Sequence, residues 1–362
     1  MNTRVPFMDL RPGPDAEAVH AAIQRVIDRG WFILGPELSA FEDEFAAAMG
    51  GTHAVGVGTG TDAIALLLRG LGVGPGDDVI TAPLSAAYSA LAIMMAGARP
   101  VFADLDPQRL TLDPRAAEAA ITPRTKAIMP VHLYGQPADM TAFEAMAARH
   151  HLLLIEDACQ AHGATCDGRA VGTFGAGAAF SFYPTKNLGA LGDAGAIVTR
   201  DAALAERLKR LRNGGQIDRY NHVEVGVNSR LDEMQAAVLR ARLPRLSGWT
   251  STRRQLAARY RAQLSGSSVV VPPERDPGHV YHLFPVRAAN RDRVRASLTA
   301  SGVETLIHYP IPLPKQEAMA AAHPADCPIA TRVAGEILSL PLHPRMAMSD
   351  VDIVSAAVNA LG

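Results

Sequence analysis

The sequence predicts an α/β fold: a large domain over residues 1–245 built on a mostly parallel sheet, and a smaller C-terminal α+β domain over 246–362. Three observations carry the prediction. Short apolar runs alternate with alanine-rich helical stretches between about residues 52 and 210, the pattern of a sheet covered on both faces. One run enters a glycine-rich turn and then a helix. After Asn228 the pattern changes to two long helical stretches, followed by strands alternating with helices.

In chain order, HAVGVG (53–58), DDVITAP (77–83), RPVFADLD (99–106), KAIMPVHLYG (126–135), LLLIEDA (152–158), AAFSFY (178–183) and GAIVT (195–199) read as strands. Each is a short apolar run bounded by turn residues. TDAIALLLRGLG (61–72), ADMTAFEAMAARHH (138–151) and DAALAERLKRLRN (201–213) read as helices. In the first of these, Ala63, Ile64, Leu67, Leu68 and Leu71 form an apolar stripe at helical spacing. The uncharged run between Asp78 and Arg99 contains Pro83, Ser85, Ser89 and Gly97, so it reads as a strand, a turn and a helix rather than a membrane span. In the smaller domain, residues 229–246 and 250–264 read as helices. HLFPVR (282–287), ETLIHYP (304–310) and SLPLH (339–343) read as strands, with helices over 291–302 and 349–361.

Composition narrows the functions. A chain of 362 residues buries a large core without covalent staples. A net charge of −1 with no long basic run argues against nucleic acid as a partner. The cysteines, Cys159, Cys166 and Cys327, are odd in number and form no CxxC pair, and the histidines lack zinc-ligand spacing, so neither a disulfide framework nor a metal site is expected. The opening MNTRVPFMDLRPGPD has no apolar signal-peptide core, and the expectation is a cytoplasmic protein.

Three places carry chemistry. Gly56, Gly58 and Gly60 precede Thr61 and Asp62 at a helix start, where free amides attract a phosphate. Alone, this turn reads equally as a tight turn with a threonine or aspartate cap, and Thr61 stands where a dinucleotide fingerprint needs its third glycine. Asp157 ends an apolar strand, where α/β sheets place ligands, although a helix cap or a paired surface acid is the plainer reading. Lys186 follows the strand ending Ser181-Phe182-Tyr183, among small, aromatic and hydroxylic neighbours that would favour an unprotonated, nucleophilic amine. Together these meet the needs of pyridoxal 5'-phosphate: a lysine for its aldehyde, an acid for its ring nitrogen and a cradle for its phosphate.

The same residues lie in blocks that resemble the DegT/DnrJ/EryC1/StrS family of sugar aminotransferases, of pyridoxal-phosphate fold type I. The blocks include GWFILGPELSAFEDEFA, GTGTDAI, GARPVFADLD, HLYGQPADM, EDACQAHGA, SFYPTKNLGALGDAGAIVT, GVNSRLDEMQAAVL and IHYPIPLP, in order along nearly the whole chain. The resemblance implies that Lys186 carries the cofactor as a Schiff base, that Asp157 meets the pyridine nitrogen and that Gln160 lies near the ring hydroxyl. It implies phosphate contacts from Gly60, Thr61, Ser181 and the backbone at Asp62. Asn228 would reach the cofactor of a neighbouring subunit, which implies a homodimer with shared active sites. Where many members carry an aromatic ring to stack on the cofactor, this chain has Ala86; Tyr88 is the nearest aromatic, and it either covers the ring or belongs to the core. Lysine at 186, where dehydrating members carry histidine, favours transamination. L-Glutamate is the implied donor, yielding 2-oxoglutarate, with Arg230 or Arg212 to hold its carboxylate. His308 and Tyr309 fall in the segment placed near the sugar. The implied acceptor is a nucleotide-diphosphate-linked keto-deoxysugar, with C3 of a dTDP-linked sugar favoured over C4. The rival readings are a catalytically silent binding or regulatory protein on the same fold, and a nicotinamide-dependent sugar oxidoreductase using the glycine turn.

Overall fold

The computed structural model describes residues 4–322 and 325–361. Two helices, α1 (Ala16–Arg29) and α2 (Pro36–Ala48), precede β1 (His53–Val57), α3 (Gly60–Gly70), β2 (Asp78–Thr81), α4 (Tyr88–Met95), β3 (Arg99–Phe102), α5 (Pro114–Ala119), β4 (Thr125–Met129), α6 (Met140–His150) and β5 (Leu153–Asp157). A short ladder, β6 (Thr165–Cys166) with β7 (Arg169–Ala170), leads to β8 (Gly177–Ser181), β9 (Gly195–Thr199) and α7 (Ala202–Leu211). A second ladder, β10 (Gln216–Asp218) with β11 (Asn221–His222), leads to α8 (Glu233–Arg242) and α9 (Leu246–Gln263). The chain ends with β12 (Phe284–Arg287), α10 (Arg291–Ala300), α11 (Pro328–Glu336), β13 (Ile337–Leu340) and α12 (Met348–Asn359).

The central sheet has seven strands in the order β1-β9-β8-β5-β4-β2-β3. Only β9 runs against its neighbours. Strands buried on both faces read as continuous apolar runs, which is why alternation is absent from VITA, AIMP and LLIE. On one face, α3 buries Ala63, Ile64, Leu66, Leu67 and Leu68 with Val55, Ile155 and Ile197. On the other, Phe41 and Phe45 of α2 meet Phe180 and Phe182, with edge-to-face ring pairs 5.0–5.3 Å apart. The register brings Val57, Gly195 and Ser181 into one row, so the ends of β1 and β8 and the start of β9 open on the same rim as the end of β5.

A separate core joins α9, α10, α12, β12 and β13 through Leu256, Tyr260, Phe284, Leu298, Leu340 and Val354. Helix α9 spans both bodies: Leu246 packs with Phe180 and Phe182, and Leu256 and Tyr260 belong to the smaller core. Chain order does not fully separate the two cores. Val5 packs in the smaller one, whereas Leu313, Met319, Ala330 and Val333 pack on the sheet side with Ile128 and Phe143.

Three expectations change. Residues 304–310 form no strand; a single bridge pairs Leu306 with Ser339. Pro310, Pro312 and Pro314 follow closely and lack the N–H a ladder requires. The helix expected from residue 229 begins at Glu233, where the Asp232 side chain accepts from the Gln235 amide at 2.8 Å. The helix expected from residue 250 begins at Leu246, directly after a 3-10 turn containing Pro244. Among the described residues, no helix is long and apolar enough to cross a membrane.

Candidate active site

The rim where β1, β5 and β8 end borders a cavity of about 710 Å³. Its first wall is the turn into α3. Thr59 caps the helix, its Oγ1 accepting from the Asp62 amide at 3.0 Å, while Gly60 and Thr61 open the helix where N–H groups have no intrahelical partner. Gly60 is required by contact: a Cβ there would lie 2.7 Å from Ser181 Cβ and 3.0 Å from Cys159 Sγ. Beneath it, a Cβ on Gly195 would lie 2.4 Å from the Thr59 carbonyl oxygen. The turn is thus pressed backbone-first onto the sheet.

The second wall is Asp157, which is buried at the end of β5. Its backbone is fixed by Asp157 N–H to the Pro130 carbonyl and by His132 N–H to its own carbonyl, both 3.0 Å. Its side chain accepts from Ser89 Oγ at 2.6 Å and from the Cys159 amide at 3.2 Å. Glu156, next to it but on the opposite face, accepts from the Gly172 and Phe174 amides at 2.8 Å and meets His132 Nε2 at 3.1 Å. The strand end therefore carries two buried acids, one satisfied entirely within the protein and one left with a face toward the cavity.

The third wall is the loop after β8. Lys186 N–H donates to the Tyr183 carbonyl at 2.8 Å, and Arg242 donates to the Gly189 carbonyl at 2.6 Å, so the loop is clamped on both sides of the lysine. Lys186 is the only lysine or arginine among the residues lining the cavity, and no carboxylate pairs with it there. Burial pushes its pKa down, against the opposing pull of Cys159 and Asp157. A lower lysine pKa makes the free amine, the nucleophile toward carbonyl carbon, easier to reach. Gln160 accepts from the Tyr134 amide at 2.7 Å and donates to the Tyr309 hydroxyl at 3.2 Å. Burial pushes Tyr309 up to about 12, which keeps it a hydroxyl, and burial together with Lys186 pushes His308 down to about 4, which keeps it neutral.

Of the residues singled out from sequence, Gly60, Thr61, Tyr88, Asp157, Gln160, Ser181, Lys186, His308 and Tyr309 line this one cavity. Tyr88 begins α4 at the rim and is 62% exposed, so the alternative that it belongs to the core is set aside. Four others stand elsewhere. The Asp62 amide is taken by Thr59, and its carboxylate accepts from Ser229 Oγ at 2.7 Å, so it is not a free phosphate donor here. Arg212 is buried against Glu42 and donates to the Gly56 carbonyl at 2.7 Å, which leaves it no reach to a substrate. Arg230 donates to Asn213 Oδ1 at 3.0 Å, and Asn228 is exposed; neither lines the cavity of its own chain. Sequence reasoning missed Ser85, Ser89, Cys159, Thr185 and His282, all of which line the cavity. For Ser85, Ser89 and His282 the signal was a polar residue within an otherwise apolar run, as in PLSAAYSA and VYHLF; Cys159 and Thr185 had none beyond their nearness in the chain to Asp157 and Lys186.

The site suits a phosphorylated aromatic aldehyde: Gly60 and Thr61 at a helix start, the Ser181 hydroxyl, an enclosed lysine and a buried carboxylate all line the same cavity. These residues fit pyridoxal 5'-phosphate, on the close approach at Gly60 and the unpaired amine of Lys186.

Comparison with known proteins agrees with this geometry. The profile of the DegT/DnrJ/EryC1/StrS aminotransferase family matches residues 15–359. The dTDP-3-amino-3,4,6-trideoxy-alpha-D-glucose transaminase of Streptomyces venezuelae is 50% identical over 351 residues, 95% of this chain and 92% of that protein. The crystal structure of S. venezuelae DesV in complex with a ketimine intermediate superposes with a TM-score of 0.96 at 48% identity, covering 100% of this chain and 99% of that one. NtdA from Bacillus subtilis with bound cofactor PMP superposes with a TM-score of 0.92 at 32% identity, covering 99% of this chain and 85% of that one.

Proposed function

This chain belongs to the DegT/DnrJ/EryC1/StrS aminotransferase family, and from that premise we propose that it is a pyridoxal-phosphate-dependent nucleotide-sugar aminotransferase moving the amino group of L-glutamate onto C3 of a dTDP-linked keto-deoxysugar. The observation that carries this reading is the meeting of Lys186, Asp157 and the Gly60 turn, from three different strand ends, in one cavity. The choice of C3 and dTDP leans on the 50% identity to the S. venezuelae transaminase.

When bound, pyridoxal phosphate supplies an aldehyde that carries the amino group and a ring that takes up electrons from the substrate carbon. The protein's part is to hold and to move protons. Gly60, Thr61 and Ser181 hold the phosphate. The Asp157 carboxylate, oriented by Ser89 and the Cys159 amide, holds the proton on the ring nitrogen. Gln160, fixed between Tyr134 and Tyr309, orients the ring hydroxyl. Lys186 Nζ would hold the cofactor's aldehyde carbon, and the same amine, when free, would serve as the proton carrier of the site. Tyr88, at the rim, would cover the ring, and His308 and Tyr309 would meet the sugar; that all three line the cavity supports this reading.

Within one chain, no arginine lines the cavity to meet the donor's carboxylate. We therefore assign Asn228 and Arg230 to the site of a second copy, in a homodimer. Exposed apolar side chains at Trp31, Phe32, Ile217, Tyr220 and Val225 support a face covered by that copy.

The test is direct. The purified protein should be yellow, and the Lys186→Ala variant should lose the visible band. L-Glutamate should convert the wild type to its aminated form. Incubation with dTDP-, UDP- and GDP-linked 3-keto and 4-keto sugars, read by mass spectrometry, should give a mass change of amination with the dTDP-linked 3-keto sugar first. A colourless wild type indifferent to pyridoxal phosphate would overturn the proposal and favour the silent binding protein. A response to NAD(P)H and a keto-sugar would favour the oxidoreductase.

A further inference from the structure

The cavity contains a buried imidazole to which the mechanism above gives no task. His282 lies between Tyr281 and Leu283, ahead of β12, and lines the cavity with Lys186 while being 4% exposed. Its place is set from several directions. The Val280 amide donates to the Gly135 carbonyl at 3.0 Å, and the Leu283 amide to the Tyr134 carbonyl at 3.3 Å. Arg253 donates to the His282 carbonyl at 3.2 Å. Gly135 has φ +88°, and a Cβ there would lie 2.9 Å from the His282 nitrogen, so the two segments pack backbone to backbone.

The ring is oriented by the residue next to the lysine. His282 Nδ1 lies 3.2 Å from Asn187 Oδ1, and Asn187 Nδ2 donates to the Val280 carbonyl at 3.0 Å. That second bond decides which end of the amide faces the histidine. A carbonyl oxygen can only accept, so the amide NH₂ must face Val280 and the amide oxygen must face the ring. An amide oxygen can only accept as well, so Nδ1 must carry the hydrogen. Nε2 then bears the lone pair of a ring that lines the cavity, and no hydrogen bond joins it to a protein group among the described residues. Burial pushes the imidazole well below its ordinary pKa, which favours its neutral form. An acceptor nitrogen there takes a donor from the protein or from water in the cavity.

We propose that His282 is a positioning residue for Lys186, its Nε2 accepting an N–H of the lysine amine whenever that amine is free of the cofactor, with Asn187 fixing the tautomer that makes this possible. Lys186 is the donor we assign: it adjoins Asn187 in the chain, and it is the only lysine or arginine among the described residues lining the cavity. A carboxylate in the same place would hold the amine as an ammonium ion by charge. A neutral imidazole gives direction without that charge and leaves the amine able to give and take a proton. The inference rests on the proposed function, because it concerns the lysine amine as the proton carrier of the site.

The first test reads the bond itself. Wild type and Lys186→Ala are each loaded with pyridoxamine phosphate, the form in which the lysine is free, and the histidine side chains are observed by two-bond ¹⁵N–¹H correlation. His282 should show a protonated Nδ1 and a bare Nε2 in both proteins. The Nε2 resonance should move upfield in the wild type relative to Lys186→Ala, as an accepting nitrogen does. A protonated Nε2, or an Nε2 resonance that is the same in both proteins, overturns the inference. A wild type that takes up no pyridoxamine phosphate overturns the proposed function along with it.

The second test is kinetic. His282→Leu should lower kcat by about tenfold to a hundredfold, the scale of a misplaced reacting group, with KM for L-glutamate unchanged. It should also raise the isotope effect from Cα-deuterated glutamate, because proton transfer becomes slower than the steps around it. His282→Gln, which keeps an acceptor near the Nε2 position, should recover most of the rate. A loss in His282→Leu that arrives with a raised KM and an unchanged isotope effect, and that glutamine does not recover, would mark His282 as structural only.

Discussion

Arg212 has the chemistry to grip a carboxylate, and the fold uses it on one of its own. It contacts Glu42 Oε1, which also accepts from the Gly56 amide at 2.7 Å, and it donates to the Gly56 carbonyl at 2.7 Å. Together the pair holds both sides of the Gly56 peptide just ahead of the turn into α3. Arg212→Ala would leave Glu42 buried and unpaired, at a cost of about 3–5 kcal/mol. Urea unfolding should show that loss, and the KM for L-glutamate of the folded fraction should stay within about twofold of wild type. A raised KM without lost stability would return Arg212 to the substrate. Lys186 and Asp157 stood out from sequence only in combination with the glycine turn, because each alone has a plainer structural reading while the three together meet the needs of one cofactor. Ser89 did not, because a serine inside LSAAYSALAIM becomes an orienting group only through a partner 68 positions away.

Helix α2 shows the same limit one level up. Its N-cap is Gly35, which has no side chain to cap with, and Pro36 follows at the first helical position. The first-turn amides are met from a distant helix instead: Glu233 of α8 accepts from Gly35 at 3.0 Å, Glu37 at 2.8 Å and Leu38 at 2.9 Å. Gly35 is needed for this approach, since a Cβ there would lie 2.7 Å from a Glu233 carboxylate oxygen. Glu233→Ala would strand three buried donors and should cost about 3 kcal/mol or more. Glu233→Gln, whose amide oxygen still accepts, should lose less. Guanidinium unfolding of the three proteins decides it, and equal midpoints would show that the cap stabilises nothing. From sequence alone the PELSAFEDEF segment offered no capping side chain, so neither α2 nor its cap was legible as such. Residues 304–310, by contrast, had strand-forming residues and failed to form a strand because the prolines after them close off the ladder.

At the scale of the molecule, the buried histidines couple stability to pH. Burial pushes His162 and His279 down to about 3 and His343 to about 4 from an ordinary 6.5. His162 lies among Phe180 and Phe182, with both ring nitrogens lacking partners among the described residues. Below 6.5 the unfolded chain takes up protons at these positions and the folded chain does not. Stability from these groups is therefore complete above 6.5 and declines as the pH falls from there toward the folded values. The urea midpoint should thus be lower at about pH 5 than at about pH 7.5, before most carboxylates titrate. His162→Phe, which keeps the ring and removes the titration, should shrink that difference. An unchanged difference would mean that His162 is already protonated, or freely solvated, in the folded state.

The sequence by itself determined the class of fold through short apolar runs and glycine turns, each a local pattern, and its blocks along nearly the whole chain carried the resemblance to the family and its cofactor. Only the tertiary structure decided what each remaining polar group does. Arg212 and Glu233 were given to the architecture, and Asn187 was turned so that its oxygen faces His282. The physical reason is that a polar side chain is committed by whichever donor or acceptor lies within about 3 Å of it. Here that partner lies tens to hundreds of residues away along the chain, and only the packing of the sheet brings it into reach.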